Sequence, residues 1–203
     1  CPKPFINAEN DRNLVFCSRP EYIQLLEAVG TDVVELTGDH FRDWGPEPML
    51  YTLDMYDQRG WKYYGGGRTL EDGMRPALFT HNGNKIAFLG CNAKPVGYAT
   101  ASSTTPGAVH CDLDKMSAEI REVVKQGYLP IFTFQHIEYY DYRAKPFLVS
   151  DFQSVADAGA VIVSGSQAHQ PQALEFYRGS LLHYGLGNLF FDQYSMGIDQ
   201  RKA

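Results

Sequence analysis

Three short apolar runs in this chain each break off into a polar segment that carries histidine. Asp32–Leu36 leads into Thr37-Gly38-Asp39-His40, and Leu129–Phe134 leads into Gln135-His136-Ile137-Glu138. Gly159–Val163 leads into Ser164-Gly165-Ser166-Gln167-Ala168-His169-Gln170-Pro171-Gln172. Short apolar runs bounded by turn formers read as buried strands. In α/β proteins the chemistry gathers at the carboxyl ends of such strands. Three strand ends bearing imidazole, carboxylate and amide groups therefore predict one convergent site, built for a metal ion.

Between these runs the periodicity changes to that of helices. Ser18 as cap, Pro20 and Glu21 precede an apolar stripe of Tyr22, Ile23, Leu25, Leu26 and Val29 that stops at Gly30. A second helix is expected over 46–59, with Met49, Leu50, Leu53 and Tyr56 on one face. Another runs to Gln126 from a cap at Asp114, with Met116, Ile120, Val123 and Val124 inward and Gly127 after its end. A further helix is expected over 147–158. His81-Asn82-Gly83-Asn84 reads as a hairpin turn, and two strands close the chain. Strand and helix alternate, with an antiparallel tail. The expected fold is α/β, with mixed β-sheets flanked by helices.

The 203 residues, 44% of them hydrophobic, suffice for one core, so a single domain over 1–203 is expected, with extended tails at 1–12 and 194–203. A net charge of −6 argues against a nucleic-acid binder. No apolar run approaches the roughly 20 residues that span a bilayer. The chain opens on Cys1-Pro2-Lys3-Pro4 without a signal-peptide pattern, as expected of a mature or trimmed form. Its cysteines, Cys1, Cys17, Cys91 and Cys111, form no CxxC pair. Each successive pair brackets a loop poor in core residues. The expected bridges are Cys1–Cys17 and Cys91–Cys111, which place the protein in an oxidising compartment, extracellular or at the cell surface. Four reduced, buried cysteines in a cytosolic enzyme are the alternative.

The polar segments differ in what they offer. Asp39 at a strand end suits a cation, while His40 can protonate a leaving group with Asp43 holding its tautomer. The plain alternative is a capping Asp beside a surface His. His136 is a candidate ligand supported by Glu138, or a half-buried imidazole beneath the neighbouring tyrosines. His169 is the strongest single ligand candidate. Gln167 shares its side of the loop but is a poor ligand, suited to hydrogen bonding. Asn188 lies within reach of the same site. Gly65-Gly66-Gly67-Arg68 lacks the residues that complete a phosphate loop and reads as a turn needing positive φ.

The order of these segments resembles the CapA (poly-γ-glutamate capsule biosynthesis) family, which is similar to the calcineurin-like metallophosphoesterases. The family's Asn-Asn-His-x-x-x-Asp-x-Gly is echoed by Gly38-Asp39-His40-Phe41-Arg42-Asp43-Trp44-Gly45, one residue shorter between His and Asp. Its Gly-x-Lys-Ile-Ala-Phe-Leu-Gly strand matches 83–90, and its Gly-Ser-His-Pro-His-x-x-Gln loop matches 165–172 with Gln167 in place of the first His. Its Tyr-Ser-Leu-Gly-Asn-Phe-x-Phe is close to 184–191. The family's first strand, ending in a ligating Gly-Asp, has no counterpart, and Asn7-Ala8-Glu9 is the one match to its Asn-x-Glu. The resemblance implies an amino-terminally incomplete α/β/β/α sandwich with a two-metal, phosphoesterase-like centre for Mn, Zn or Fe. Asp39, His136 and His169 would be ligands, His40 and Asp43 the catalytic pair, and Gln167, Asn188 and Glu138 substrate contacts. Gln167 makes that centre degenerate.

Two functions follow as expectations. One is a metal-dependent hydrolase acting on a phosphoester. The other is a non-catalytic cell-surface module that binds or assembles an anionic polymer such as poly-γ-glutamate.

Overall fold

The computed structural model describes residues 17–97, 99–137, 139 and 141–188. Contacts divide the chain into two compact units: Cys1–Ala77 with Pro95–His110, and Leu78–Lys94 with Cys111–Ala203. The expected tails, Asn7–Glu9, Cys1 and Glu138 lie outside the described residues.

In the first unit a 3-10 turn, Pro20–Tyr22, runs into helix α1, Ile23–Ala28. The turn is entered at Arg19 without a side-chain cap, not at Ser18. The stripe predicted to pack is instead exposed at Tyr22, Leu25, Leu26 and Val29. Strand β1, Val33–Glu35, pairs in parallel with β2, Lys62–Tyr64. Between them lies helix α2, Pro46–Gln58, which Pro46 starts and Gly60 (φ 68°) follows. Met49 and Leu53 from α2 close on Leu36, with Val34, Phe41, Tyr56 and Tyr63 around them. Burying Leu53 completely contributes about 1.5–3 kcal/mol.

Strand β3, Gly66–Gly67, helix α3, Leu70–Met74, and the strand Gly107–Ala108 form a tight knot in the same unit. Thr69 caps α3 by accepting from the Asp72 N–H. Only Gly65 in the glycine run has positive φ, 72°. Gly66 is needed for another reason: a Cβ there would sit 2.5 Å from the Leu36 carbonyl oxygen.

The second unit holds a six-stranded mixed sheet. Its strands, with the remaining labels in chain order, are β4 Ala77–His81, β5 Asn84–Asn92, β7 Leu129–Gln135, β8 Ile162–Gly165, β9 Leu174–Tyr177 and β10 Ser180–His183, β6 being Gly107–Ala108 above. The order across the sheet is β4-β5-β7-β8-β10-β9. Strands β5, β7, β8 and β10 run parallel, and β9 is antiparallel to β10. Asn82 and Gly83 both take positive φ, 48° and 79°, as a two-residue hairpin turn demands.

Helix α4, Leu113–Lys125, and helix α5, Pro146–Asp157, pack together beside this sheet. The cap of α4 is Asp112, which accepts from the Lys115 N–H at 3.2 Å, so the predicted cap at Asp114 is two residues late. Met116, Ile120 and Val123 turn inward as expected, but Val124 is exposed. Helix α5 buries Leu148, Phe152 and Val155, and Phe152 stacks on Phe134 of β7 at 4.9 Å between ring centres. Cys91 and Cys111 form the predicted disulfide. Cys17 is also disulfide-bonded. The mixed α/β expectation is met, with five α-helices among the described residues. None of them is long and apolar enough to cross a membrane.

Candidate functional site

Two groups of predicted residues are built locally, one in each unit. In the first, the chain leaves β1 through Leu36 and Thr37, and the buried Thr37 hydroxyl donates to Glu35 Oε1. Consecutive turns follow, with Phe41 N–H bonding Gly38 O at 3.3 Å and Asp43 N–H bonding His40 O at 3.4 Å. These turns place residues three apart on one side, so His40 Nδ1 meets Asp43 Oδ2 at 2.8 Å. The Asp43 side chain is 1% exposed and accepts the Nδ1 proton. In the neutral imidazole this leaves the lone pair on Nε2, the tautomer suited to proton transfer. Arg42 Nη1 donates to Pro106 O at 2.9 Å and anchors the turn. Beside the pair lies a groove of about 560 Å³, walled by Leu25, Phe41, Trp44, Met49 and Tyr56. Asp39 sits half-buried in the first of these turns.

In the second unit the parallel strands end together at one edge of the sheet. The Ser166 hydroxyl donates to Gln135 Oε1 at 2.9 Å, and the Gln135 amide donates to Gln167 Oε1. Gln167 thus joins an amide chain, the hydrogen-bonding role its chemistry favours. His136 is buried and uses both ring nitrogens. Its Nδ1 accepts from the Ile137 N–H at 2.9 Å, which puts the proton on Nε2, and Nε2 donates to Asp151 Oδ2 at 2.8 Å. Phe134 and Phe147 flank the ring at 6.0 and 5.5 Å. His169 Nδ1 donates to Asn188 Oδ1 at 3.0 Å, so Asn188 orients an imidazole. His183, at the end of β10, has its pKa lowered by burial.

These side chains fit a cation poorly. His136 has both nitrogens engaged by protein, and Gln167 brings an amide where the resemblance has an imidazole. Among the described residues no group of three or more His, Cys, Asp and Glu side chains is arranged to hold a metal. Asp39 and His40 belong to the first unit, and His136, Gln167 and His169 to the second.

Sequence reasoning missed Asp151 and gave Gln135, at one of the predicted strand ends, no role of its own. Asp151 carried a readable signal. It lies three residues after Leu148 and four before Val155, on the stripe that α5 buries, and a carboxylate on such a stripe calls for a partner.

Over residues 4–193 the sequence matches the family model described as "Bacterial capsule synthesis protein PGA_cap". The chain belongs to the PGA_cap family. Among curated PGA_cap relatives, it is 26% identical over 187 residues to a Bacillus anthracis protein named "Capsule biosynthesis protein CapA", covering 90% of this chain and 46% of that protein. It is 26% identical over 185 residues to the "PGA biosynthesis protein CapA" of Bacillus subtilis, covering 90% of this chain and 48% of that one. A Mycobacterium tuberculosis protein named "Probable polyglutamine synthesis accessory protein" is 25% identical over 190 residues, covering 88% and 50%. The chain spans about half the length of the curated relatives it matches.

Proposed function

We propose that this chain works in the synthesis of a poly-γ-glutamate capsule at the cell surface, and that it holds the polymer instead of hydrolysing an ester. The family match over 4–193 supports the capsule assignment. The Cys91–Cys111 disulfide supports an oxidising, extracellular setting. The choice of holding over hydrolysis rests on His136. An imidazole with Nδ1 bonded to a backbone N–H and Nε2 bonded to Asp151 gives no lone pair to a cation. The amide chain of Ser166, Gln135 and Gln167 beside it suits a polyamide better than a phosphoester. The proposal includes the two-sheet α/β/β/α sandwich of the metallophosphoesterases as the arrangement of the complete domain.

A second reading, a hydrolase in which His40 transfers the proton, is favoured by the 2.8 Å bond that fixes its tautomer against Asp43. Metal analysis of the full-length protein after dialysis separates the two, combined with phosphoester turnover in added Mn²⁺ or Zn²⁺. Substoichiometric metal and no turnover are expected. Stoichiometric metal, with turnover abolished by His40→Ala, would replace the binding role with the hydrolase.

A further inference from the structure

We infer that the loop following β7 carries a binding lip for polymer carboxylates, made by Arg143, Lys145 and Tyr142 and held in shape by Asp141. The inference rests on the capsule-polymer reading above and names the groups that would make the contact.

The loop is pinned to its neighbour by bonds that need no ligand. Buried Gln172 donates through Nε2 to Asp141 O at 2.9 Å, and its Oε1 accepts from the Tyr139 hydroxyl at 3.4 Å. The Ala173 N–H bonds Tyr142 O at 3.0 Å, and the Lys145 N–H bonds the Tyr139 hydroxyl at 3.2 Å. With the backbone fixed on two sides, the side chains of Tyr142 and Arg143 project outward. Tyr142 is 68% exposed and the Arg143 side chain 74%.

Asp141 organises the cations. Its Oδ1 accepts the Arg143 N–H at 3.0 Å, a local turn bond, and lies 3.4 Å from Arg143 Nε. Its Oδ2 lies 3.4 Å from Lys145 Nζ. The Arg143 guanidinium also rests over the Tyr142 ring at 5.7 Å, and the Lys145 ammonium over Tyr139 at 5.3 Å. Arg143 and Lys145 thus present two cations around the one carboxylate of Asp141. Both contacts to Asp141 are long for charged hydrogen bonds, so either cation can turn to a better acceptor at little cost.

A polyamide bearing one free carboxylate per repeat is the ligand this arrangement fits. Arginine takes a carboxylate through two parallel N–H bonds, lysine takes a second, and an exposed tyrosine face covers the intervening methylenes. Because Tyr139 and residues 141–145 are already tied to Gln172 and Ala173, binding immobilises few additional groups.

The test measures binding of purified poly-γ-glutamate to the full-length protein by calorimetry, for wild type, R143S/K145S and R178S. Arg178, another exposed arginine of the same unit, pairs with Asp157 and controls for bulk charge. Binding by wild type, about tenfold weaker in R143S/K145S and unchanged in R178S, is expected from the loss of two exposed charge contacts. The double variant should keep the wild-type thermal midpoint, and Arg143→Lys should restore part of the affinity. Equal affinity in wild type and R143S/K145S would overturn the lip while leaving the capsule reading intact. Equal binding of inorganic polyphosphate would overturn the assignment to carboxylates. Failure of the wild-type protein to bind the polymer would overturn the holding role and the lip together.

Discussion

Replacing Asp151 by alanine strips the acceptor from a buried imidazole. His136 Nε2 then carries a proton with nowhere in the protein to send it, since the 2.8 Å bond to Asp151 is the contact that uses it. Leaving a buried donor unsatisfied costs about 1–3 kcal/mol. The Asp151 side chain is 28% exposed, so water can reach the vacated position, and the lower part of that range applies, about 1–2 kcal/mol. For a chain of this size each kcal/mol moves the thermal midpoint by about 2–4 °C, giving a fall of roughly 2–8 °C. Asp151→Asn keeps an acceptor oxygen in place and should lose less than half as much. Scanning calorimetry of the three proteins, with and without chelator, gives the comparison. Imidazole ¹⁵N shifts of His136 should report the Nε2–H tautomer in wild type. A D151A variant that unfolds like wild type would refute the structural role of the pair. So would chelator sensitivity confined to wild type, because His136 would then be holding a metal.

Cutting the Cys91–Cys111 bridge by C91A/C111A should cost about 3 kcal/mol by loop entropy for its separation of 20 residues, read as a drop in urea midpoint under non-reducing conditions. Burial lowers the His183 pKa below 6.5, so between the two values the unfolded chain binds more protons than the folded one. The contribution of His183 is therefore complete above about pH 6.5 and is lost as pH falls toward the folded value, and His183→Gln should flatten that part of the stability profile. A Cβ on Gly107 would lie 2.4 Å from Ala99 O and 2.5 Å from Ala101 N, so Gly107→Ala should cost at least about 1–3 kcal/mol, measured by denaturant unfolding. Gly38→Ala meets nothing within 4 Å and should stay within about 0.5 kcal/mol of wild type in the same assay.

What could be read in the sequence was local. The Asn82-Gly83 turn follows from two residues that tolerate positive φ, and α4 from apolar spacing closed by Gly127. The His40–Asp43 pair was legible because a turn brings residues three apart together. The α4 cap was misplaced because two aspartates stand near the helix start, and only the backbone decides which is still extended. At Asp112 it is, with φ −121° and ψ 99°. The exposed stripe of α1 has the same spacing as a buried one, since periodicity names a face without naming what covers it. The bonds from Gln135 to Gln167 and from His136 to Asp151 join residues 32 and 15 positions apart, and strand order and the packing of α5 rather than spacing create them. Gly66 reads in the sequence as part of a turn, but it and Gly107 are places where main chains touch.

The first unit is not one stretch of sequence. Its glycine knot is completed by Gly107 and Ala108, which reach it only after the chain has passed through β4 and β5 of the second unit. No single cut in the gene can release either unit whole. A fragment ending at Ala77 would lack the strand that Gly66 and Gly67 pair with, and a fragment beginning at Leu78 would carry that strand with nothing to receive it. A protease nick between Pro95 and His110 would leave the polypeptide joined by the Cys91–Cys111 bridge. Such a nick would show on a gel only after reduction.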